Sequence, residues 1–144
     1  WRNPAAIRQA HDRLLRSGLK NKKGVTMIKS FQDLIVWQKS MDLVELVYKY
    51  VDQFPDEERF ALNVQIRRSV VSVPSNIAEG HGRRGNNEYS HHLSIAHGSL
   101  MECLTQTLIA KRLGYWNENT TNSLVNLIEK ISKMLKTLIY RLKR

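Results

Sequence analysis

The sequence predicts an all-α protein: an up-down-up-down antiparallel four-helix bundle with a proline kink in its second helix. Three observations predict it. Apolar residues recur at alternating spacings of three and four along four long segments. No stretch sustains period-two alternation, and neither glycine-aromatic hairpin signals nor an internal repeat is present. The segments are joined by short connections, which favour antiparallel neighbours. With 144 residues, 42% of them hydrophobic and 25% charged, the chain has the size and composition of one globular domain.

The first segment is expected from about Phe31 to Phe54. Leu34, Trp37, Met41, Val44, Tyr48 and Val51 form one apolar row, and Val36, Leu43, Val47, Tyr50 and Phe54 form a second. Two rows are wider than a coiled-coil seam, so one suits the core and the other a neighbouring subunit. Ser30 is the expected N-cap and Pro55 ends the segment.

The second segment is expected from about Glu57 to Glu79. Asp56, Glu57 and Glu58 place negative charge at its start, as the helix dipole favours. Leu62, Ile66, Val70, Val73 and Ile77 make its inner stripe, with Gly80 and Gly82 as the stop. Pro74 lies inside it. Proline cannot donate to the carbonyl of Val70, and its ring crowds that oxygen, which costs about 3 kcal/mol in a helix interior. Ser72 and Ser75 flank the break with hydroxyls, so one kinked helix is expected rather than two helices. Asn76 and Glu79 share a face beside the stripe, and Arg68 lies three turns earlier on roughly the same side. With Ser99 or Glu102 from the third segment they are candidates for a polar layer. Structural hydrogen bonding is its favoured role, and ligand binding is the alternative.

The third segment is expected from about Asn87 to Leu113. Leu93, Ala96, Leu100, Leu104 and Leu108 point inward in this reading, and Gly114 is the stop. The fourth is expected from about Thr120 to Leu142, with Leu124, Ile128, Ile131, Leu135, Leu138 and Leu142 as its stripe. Lys130, Lys133, Lys136, Arg141 and Lys143 lie toward its other surfaces.

Charge divides the chain into residues 1–26, a basic N-terminal arm, and residues 27–144, the bundle. The formal net charge is +10, and the arm holds seven basic residues against one acid. Met27 is the expected natural start of the domain, because the regular pattern begins directly after it. Within the arm, Pro4 to Ser17 has the pattern of a short helix stopped by Gly18. Nucleic acid is the natural partner of such a basic segment, and a solvated arm that touches nothing is the alternative. The single cysteine, Cys103, excludes an intrachain disulfide and fits a cytoplasmic setting. No apolar run reaches the ~20 residues of a membrane span.

Catalytic signatures are missing. Carboxylate-bridged metal bundles need a Glu-x-x-His pair on two helices, and this chain has one match, Glu88 with His91. His92 and His97 are five apart, on different faces of an ideal helix, so surface or interface roles are expected and no metal site. Cys103 has no CxxC partner and reads as a buried small residue. No phosphate-binding P-loop, nucleophile elbow or dinucleotide fingerprint occurs. The stretch Glu79-Gly-His-Gly-Arg-Arg84 with Gly85, Asn86 and Asn87 reads as an interhelical turn, with phosphate binding as the alternative. No cofactor and no catalytic residue is expected.

Several stretches carry a resemblance: FQDLIVWQKSMDLVELVY, FPDEERFALNVQIRRSVVSVPSNIAEGHGR, YSHHLSIAHGSLMECLTQTLIAKRLGY and ISKMLKTLIYRL. They resemble the 23S rRNA intervening-sequence proteins, in the right order from about Ile28 to Leu142. The most specific parts are Gln65–Arg68, Ser72–Gly80 and Ala96–Leu100. Ser40 and Ser69 stand where the pattern leads us to expect alanine. The resemblance implies a homo-oligomer, a pentameric ring of four-helix bundles, without enzymatic activity. A similar group is the accessory variability proteins of diversity-generating retroelements, basic rings that bind nucleic acid and a reverse transcriptase.

Charge and resemblance together point to a nonenzymatic nucleic-acid-binding accessory protein, with RNA ahead of DNA. Arg67, Arg83, Arg84, Lys111, Arg112, Lys133, Lys136, Arg141 and the arm are the expected phosphate contacts. The alternative is a protein-interaction scaffold, for instance for a reverse transcriptase. It would use the second apolar row of the first segment with Tyr115 and Trp116.

Overall fold

Four amphipathic segments fold as four α-helices. The computed structural model describes residues 28–144, in which α1 spans Ile35–Tyr50, α2 Leu62–His81, α3 Asn86–Arg112 and α4 Glu118–Leu142. Single turns of 3-10 helix occupy Phe31–Asp33, Val51–Gln53 and Asp56–Glu58, and no strand occurs among the described residues. The basic arm, with its expected helix between Pro4 and Ser17, lies outside the described residues.

Cross-helix bonds fix the directions. Ser69 Oγ donates to Gln106 Oε1 at 2.6 Å, the Ser72 and Ser99 hydroxyls pair at 2.9 Å, and Asn76 Oδ1 meets His92 Nδ1 at 3.4 Å. As the α2 number rises the α3 number falls, so these helices are antiparallel. His97 Nε2 to Ser132 Oγ at 2.9 Å and Lys111 Nζ to Glu118 at 2.9 Å set α4 antiparallel to α3 in the same way. Trp116 Nε1 donates to the Tyr50 carbonyl at 2.8 Å, tying the end of α1 to the α3–α4 connection. One end of the bundle therefore gathers residues 50–62 and 112–118. The other gathers residues 28–34, 81–86 and 142–144.

The helix ends follow local chemistry. Ser30 caps the first 3-10 turn in a reciprocal capping box with Asp33, and α1 begins after Leu34. The helix α2 starts at Leu62, five residues later than expected. Pro55 opens a separate turn, and the Glu58 carboxylate accepts from Leu62 N–H at 3.0 Å, so the acids cap α2 from outside instead of forming its first turn. Pro74 is buried within a single continuous α2, with Ser75 Oγ donating to the Val71 carbonyl at 2.8 Å. The chain leaves α3 through Gly114, whose φ of +76° is the left-handed conformation glycine adopts freely. Tyr115 N–H then reaches the Ala110 carbonyl and Gly114 N–H the Lys111 carbonyl, closing a Schellman motif. Asn117 caps α4 by accepting from Thr120 N–H at 2.8 Å.

The core lies between all four helices. Leu43, Val47, Ile66, Val70, Val73, Ile77, Leu93, Leu100, Leu124, Ile128, Ile131 and Leu135 are fully buried. Each large side chain contributes about 1.5–3 kcal/mol by leaving water. On α1 the second row, from Val36 to Phe54, supplies most of the core. Met41 and Tyr48 of the first row are exposed, and Trp37 and Val44 are half-buried. On α3 the stripe departs from expectation after Leu100. Cys103, Thr107 and Ala110 continue it, Leu104 is half-buried and Leu108 is exposed. Repeated steps of four rotate past the 3.6-residue turn, and the inward stripe returns by a step of three. Burial pushes the Cys103 thiol up to about 12.

Gly80 does not stop α2, which continues to His81. It lets α2 approach α3: a Cβ there would stand 2.8 Å from His92 Cβ and 2.9 Å from Tyr89 Cδ2.

Candidate nucleic-acid interface

The turn from α2 to α3 carries Arg83 and Arg84, both exposed. Arg83 donates to Glu79 Oε1 at 2.7 Å, one helical turn back along the chain. Arg84 makes no ion pair among the described residues. Gly85 follows as the N-cap of α3 and supplies no side-chain acceptor for the first-turn amides. Those N–H groups and the positive end of the helix dipole face the same surface as the arginines. Arg83, Asn87, Glu88, His91 and His92 line a shallow hollow of about 330 Å³ beside them. Helix direction brings the end of α4 to this side of the molecule, with exposed Arg141, Lys143 and Arg144. Residue 28, which follows the arm, is here too.

The remaining expected phosphate contacts are dispersed. Lys136 and Lys133 are exposed on α4, about one and two turns before Arg141. Lys111 is paired with Glu118, and Arg112 is exposed at the opposite end of the bundle. Arg67 lies half-buried in the α1–α2 seam. Its guanidinium sits 4.7 Å from the Tyr48 ring centroid, and its Nε is buried without a hydrogen-bond partner. A basic residue on an amphipathic helix is visible in a sequence, but its level along the bundle emerges only from the chain directions.

The residues proposed as a polar layer fall into two groups. Asn76 Nδ2 donates to Ser72 Oγ at 3.0 Å and to the Ser72 carbonyl at 2.8 Å, and Ser72 passes the chain to Ser99. Glu79 lies apart from it, exposed and paired with Arg83, with His92 Nε2 3.9 Å away. Arg68 is not beside Glu79. It lines a polar cleft of about 380 Å³ with Gln65, Ser69, Ser72, Ser99 and Glu102. Glu102 accepts from Gln106 Nε2 at 3.4 Å. The Ser69–Gln106 bond, the shortest of the cross-helix contacts, was not foreseeable from residue types alone, since Gln106 sits on a polar-looking face. The only hint was serine inside an otherwise apolar stripe.

Tyr115 and Trp116 are not a free surface. Trp116 is buried, 4.9 Å from Phe54 and 6.3 Å from Tyr50 between ring centroids. Tyr115 donates its hydroxyl to Glu58 Oε1 at 3.0 Å, and that bond, followed by burial, raises its pKa. The His97 pKa is lowered, first by burial and then by the charge of Lys136. Among the described residues no three His, Cys, Asp or Glu side chains are placed to share a metal ion. No helix among them is long and apolar enough to cross a membrane.

An all-helical bundle with a basic end defines the class. The sequence profile described as 23S rRNA-intervening sequence protein matches residues 32–137, and the chain belongs to that family. A crystal structure of a protein of unknown function from the S23 ribosomal protein family of Bacteroides thetaiotaomicron VPI-5482 has a similar fold. It is 24% identical, with a TM-score of 0.67, over 73% of this chain and 98% of that one. No curated protein matches.

Proposed function

We propose that the protein is a nonenzymatic, homo-oligomeric accessory protein of the cytoplasm that binds RNA through its phosphates. The observation that supports this reading most is the convergence of Arg83, Arg84, Arg141, Lys143 and Arg144 on one end of the bundle, beside α3 amides that no side chain caps. The arm would add its seven bases to the same end. Lys133 and Lys136 extend the surface along α4. Binding of this kind is salt-dependent and weakly sequence-specific. We leave Arg67, Lys111 and Arg112 out of the interface, because the first covers Tyr48 and the other two lie at the far end. A ring, five-fold as the resemblance implies, would multiply the contacts.

The test is fluorescence anisotropy of the full chain with a labelled RNA hairpin at rising salt. Arg83→Glu with Arg84→Glu should weaken binding at least tenfold. It should also make the slope of log affinity against log salt shallower by about 2, at one unit per lost phosphate contact. No RNA or DNA affinity of the unmodified chain at low salt would sink the proposal.

A second reading, a scaffold for a protein such as a reverse transcriptase, is supported by the exposed apolar side chains Met41, Val64 and Val71 on α1 and α2. A genomic neighbour encoding a reverse transcriptase would favour it.

A further inference from the structure

Phe60 is the most exposed large apolar side chain in the described residues, at 85%. It stands just before α2, in the turn that carries exposed Asp56 and Glu57. The Arg59 guanidinium lies 5.4 Å from its ring centroid, covering part of one side. Val64, in the first turn of α2 and four residues on from Phe60, is exposed as well. Glu58 is engaged with Tyr115 and Leu62, which leaves Asp56 and Glu57 as the acids free to meet a partner.

A complementary surface lies on α3. Thr105, Leu108, Ile109, Lys111 and Arg112 line a hollow of about 520 Å³, the largest of the three described here. Leu108, Ile109 and nearby Leu113 are exposed apolar side chains on a helix whose inward face is already filled. Lys111 is held by Glu118, so Arg112 is the cation at this rim without an ion pair among the described residues. One surface is thus an aromatic knob beside acids, and the other an apolar hollow beside a base. Exposed aromatics of this kind act as anchors when a pocket receives them.

We propose that the chain associates head to tail with a second copy of itself, Phe60 and its acidic turn on one copy entering the Leu108–Ile109 hollow of the next. The proposal rests on the homo-oligomeric reading above and names its two faces. Both faces lie at the same end of the bundle, since Phe60 precedes α2 and the hollow sits in the last two turns of antiparallel α3. They differ in chemistry, so each contact joins unlike faces, and an unmodified assembly larger than a dimer distinguishes the head-to-tail contact from two copies exchanging knobs about a two-fold axis. A heterologous contact closes into a ring when its rotation divides a full turn without a rise along the axis, and otherwise extends as a filament.

Two variants of the full chain test this by sedimentation velocity at micromolar concentration, with circular dichroism to confirm unchanged helix content. Phe60→Asp removes the knob and keeps the hollow; Ile109→Glu does the reverse. Each alone should be monomeric. Mixed in equal amounts they should form one species, a dimer with one copy of each, because one intact knob meets one intact hollow and the chain of contacts stops there. A second pair checks the charges: Glu57→Arg and Arg112→Glu should each weaken assembly at least tenfold and together restore it. If the unmodified chain oligomerises and either Phe60→Asp or Ile109→Glu keeps that oligomer, the assignment of faces is overturned and the oligomeric reading survives. A self-paired dimer untouched by Ile109→Glu is one such result, and occupation of the hollow by a different protein is another. A monomeric unmodified chain overturns both.

Discussion

The two ends of the bundle are built by opposite means. At one, Phe54, Tyr50 and Trp116 interlock and Trp116 closes the gap with a hydrogen bond to the Tyr50 carbonyl. Side-chain volume holds that end together, and its exposed surface mixes acids, Asp52, Asp56 and Glu57, with the bases Arg59, Lys111 and Arg112. At the other end the helices meet through the lack of a side chain, at Gly80, and arginines crowd the turn. The sealed end depends on mass and the open end on clearance. A change that each end tolerates is therefore the one the other does not.

Removing mass from the sealed end should have the largest effect on stability. Trp116→Ala should lose about 3–5 kcal/mol, the usual range for a buried aromatic, because it empties the cluster and strands the Tyr50 carbonyl. Urea denaturation followed by helix dichroism measures it, and a loss under ~1 kcal/mol would show that the aromatics do not lock this end. Adding mass at the open end should come next. Gly80→Ala puts a methyl within 3 Å of His92 and Tyr89. About 1–3 kcal/mol is expected, against the slight gain that alanine gives in an open helix. A more stable variant would mean that α3 moves aside freely.

The smallest effect concerns pH. In the folded chain His97 titrates below its usual value of about 6.5. Below that value the unfolded chain binds the proton more readily, so stability is full above about 6.5 and falls as pH drops toward the lowered native value. His97→Gln should flatten this part of the stability–pH curve, and an unchanged slope between pH 7 and 5 would remove His97 as its source.

Much of the fold was legible because periodicity and capping are local. The ends of α3 and α4 fall within two residues of expectation, and the α2 stripe of Leu62, Ile66, Val70, Val73 and Ile77 is buried as read. The failures have non-local causes. Leu108 looks like the next step of a stripe until the inward face is known to run through Cys103 and Thr107. Trp116 looks like a free loop aromatic until α1 is seen to end beneath it. For the candidate interface, the residue types were legible but their gathering was not. Arg84 and Arg141 are 57 positions apart and share an end only because an even number of helices, α3 out and α4 back, lies between them, as an even number lies between the start of α1 and the end of α4.

That same count governs where attachments fall. Residue 28 and residue 144 both leave the bundle beside Arg83 and Arg84, so a bulky fusion joined directly to residue 28 or residue 144 stands in front of the basic surface. An affinity tag left in place would compete with RNA for that space and lower the measured affinity. The turns near Gln53 and Gly114 lie about 25 Å away, the length of a sixteen-residue helix at 1.5 Å per residue. A label placed there would report on binding without obstructing it.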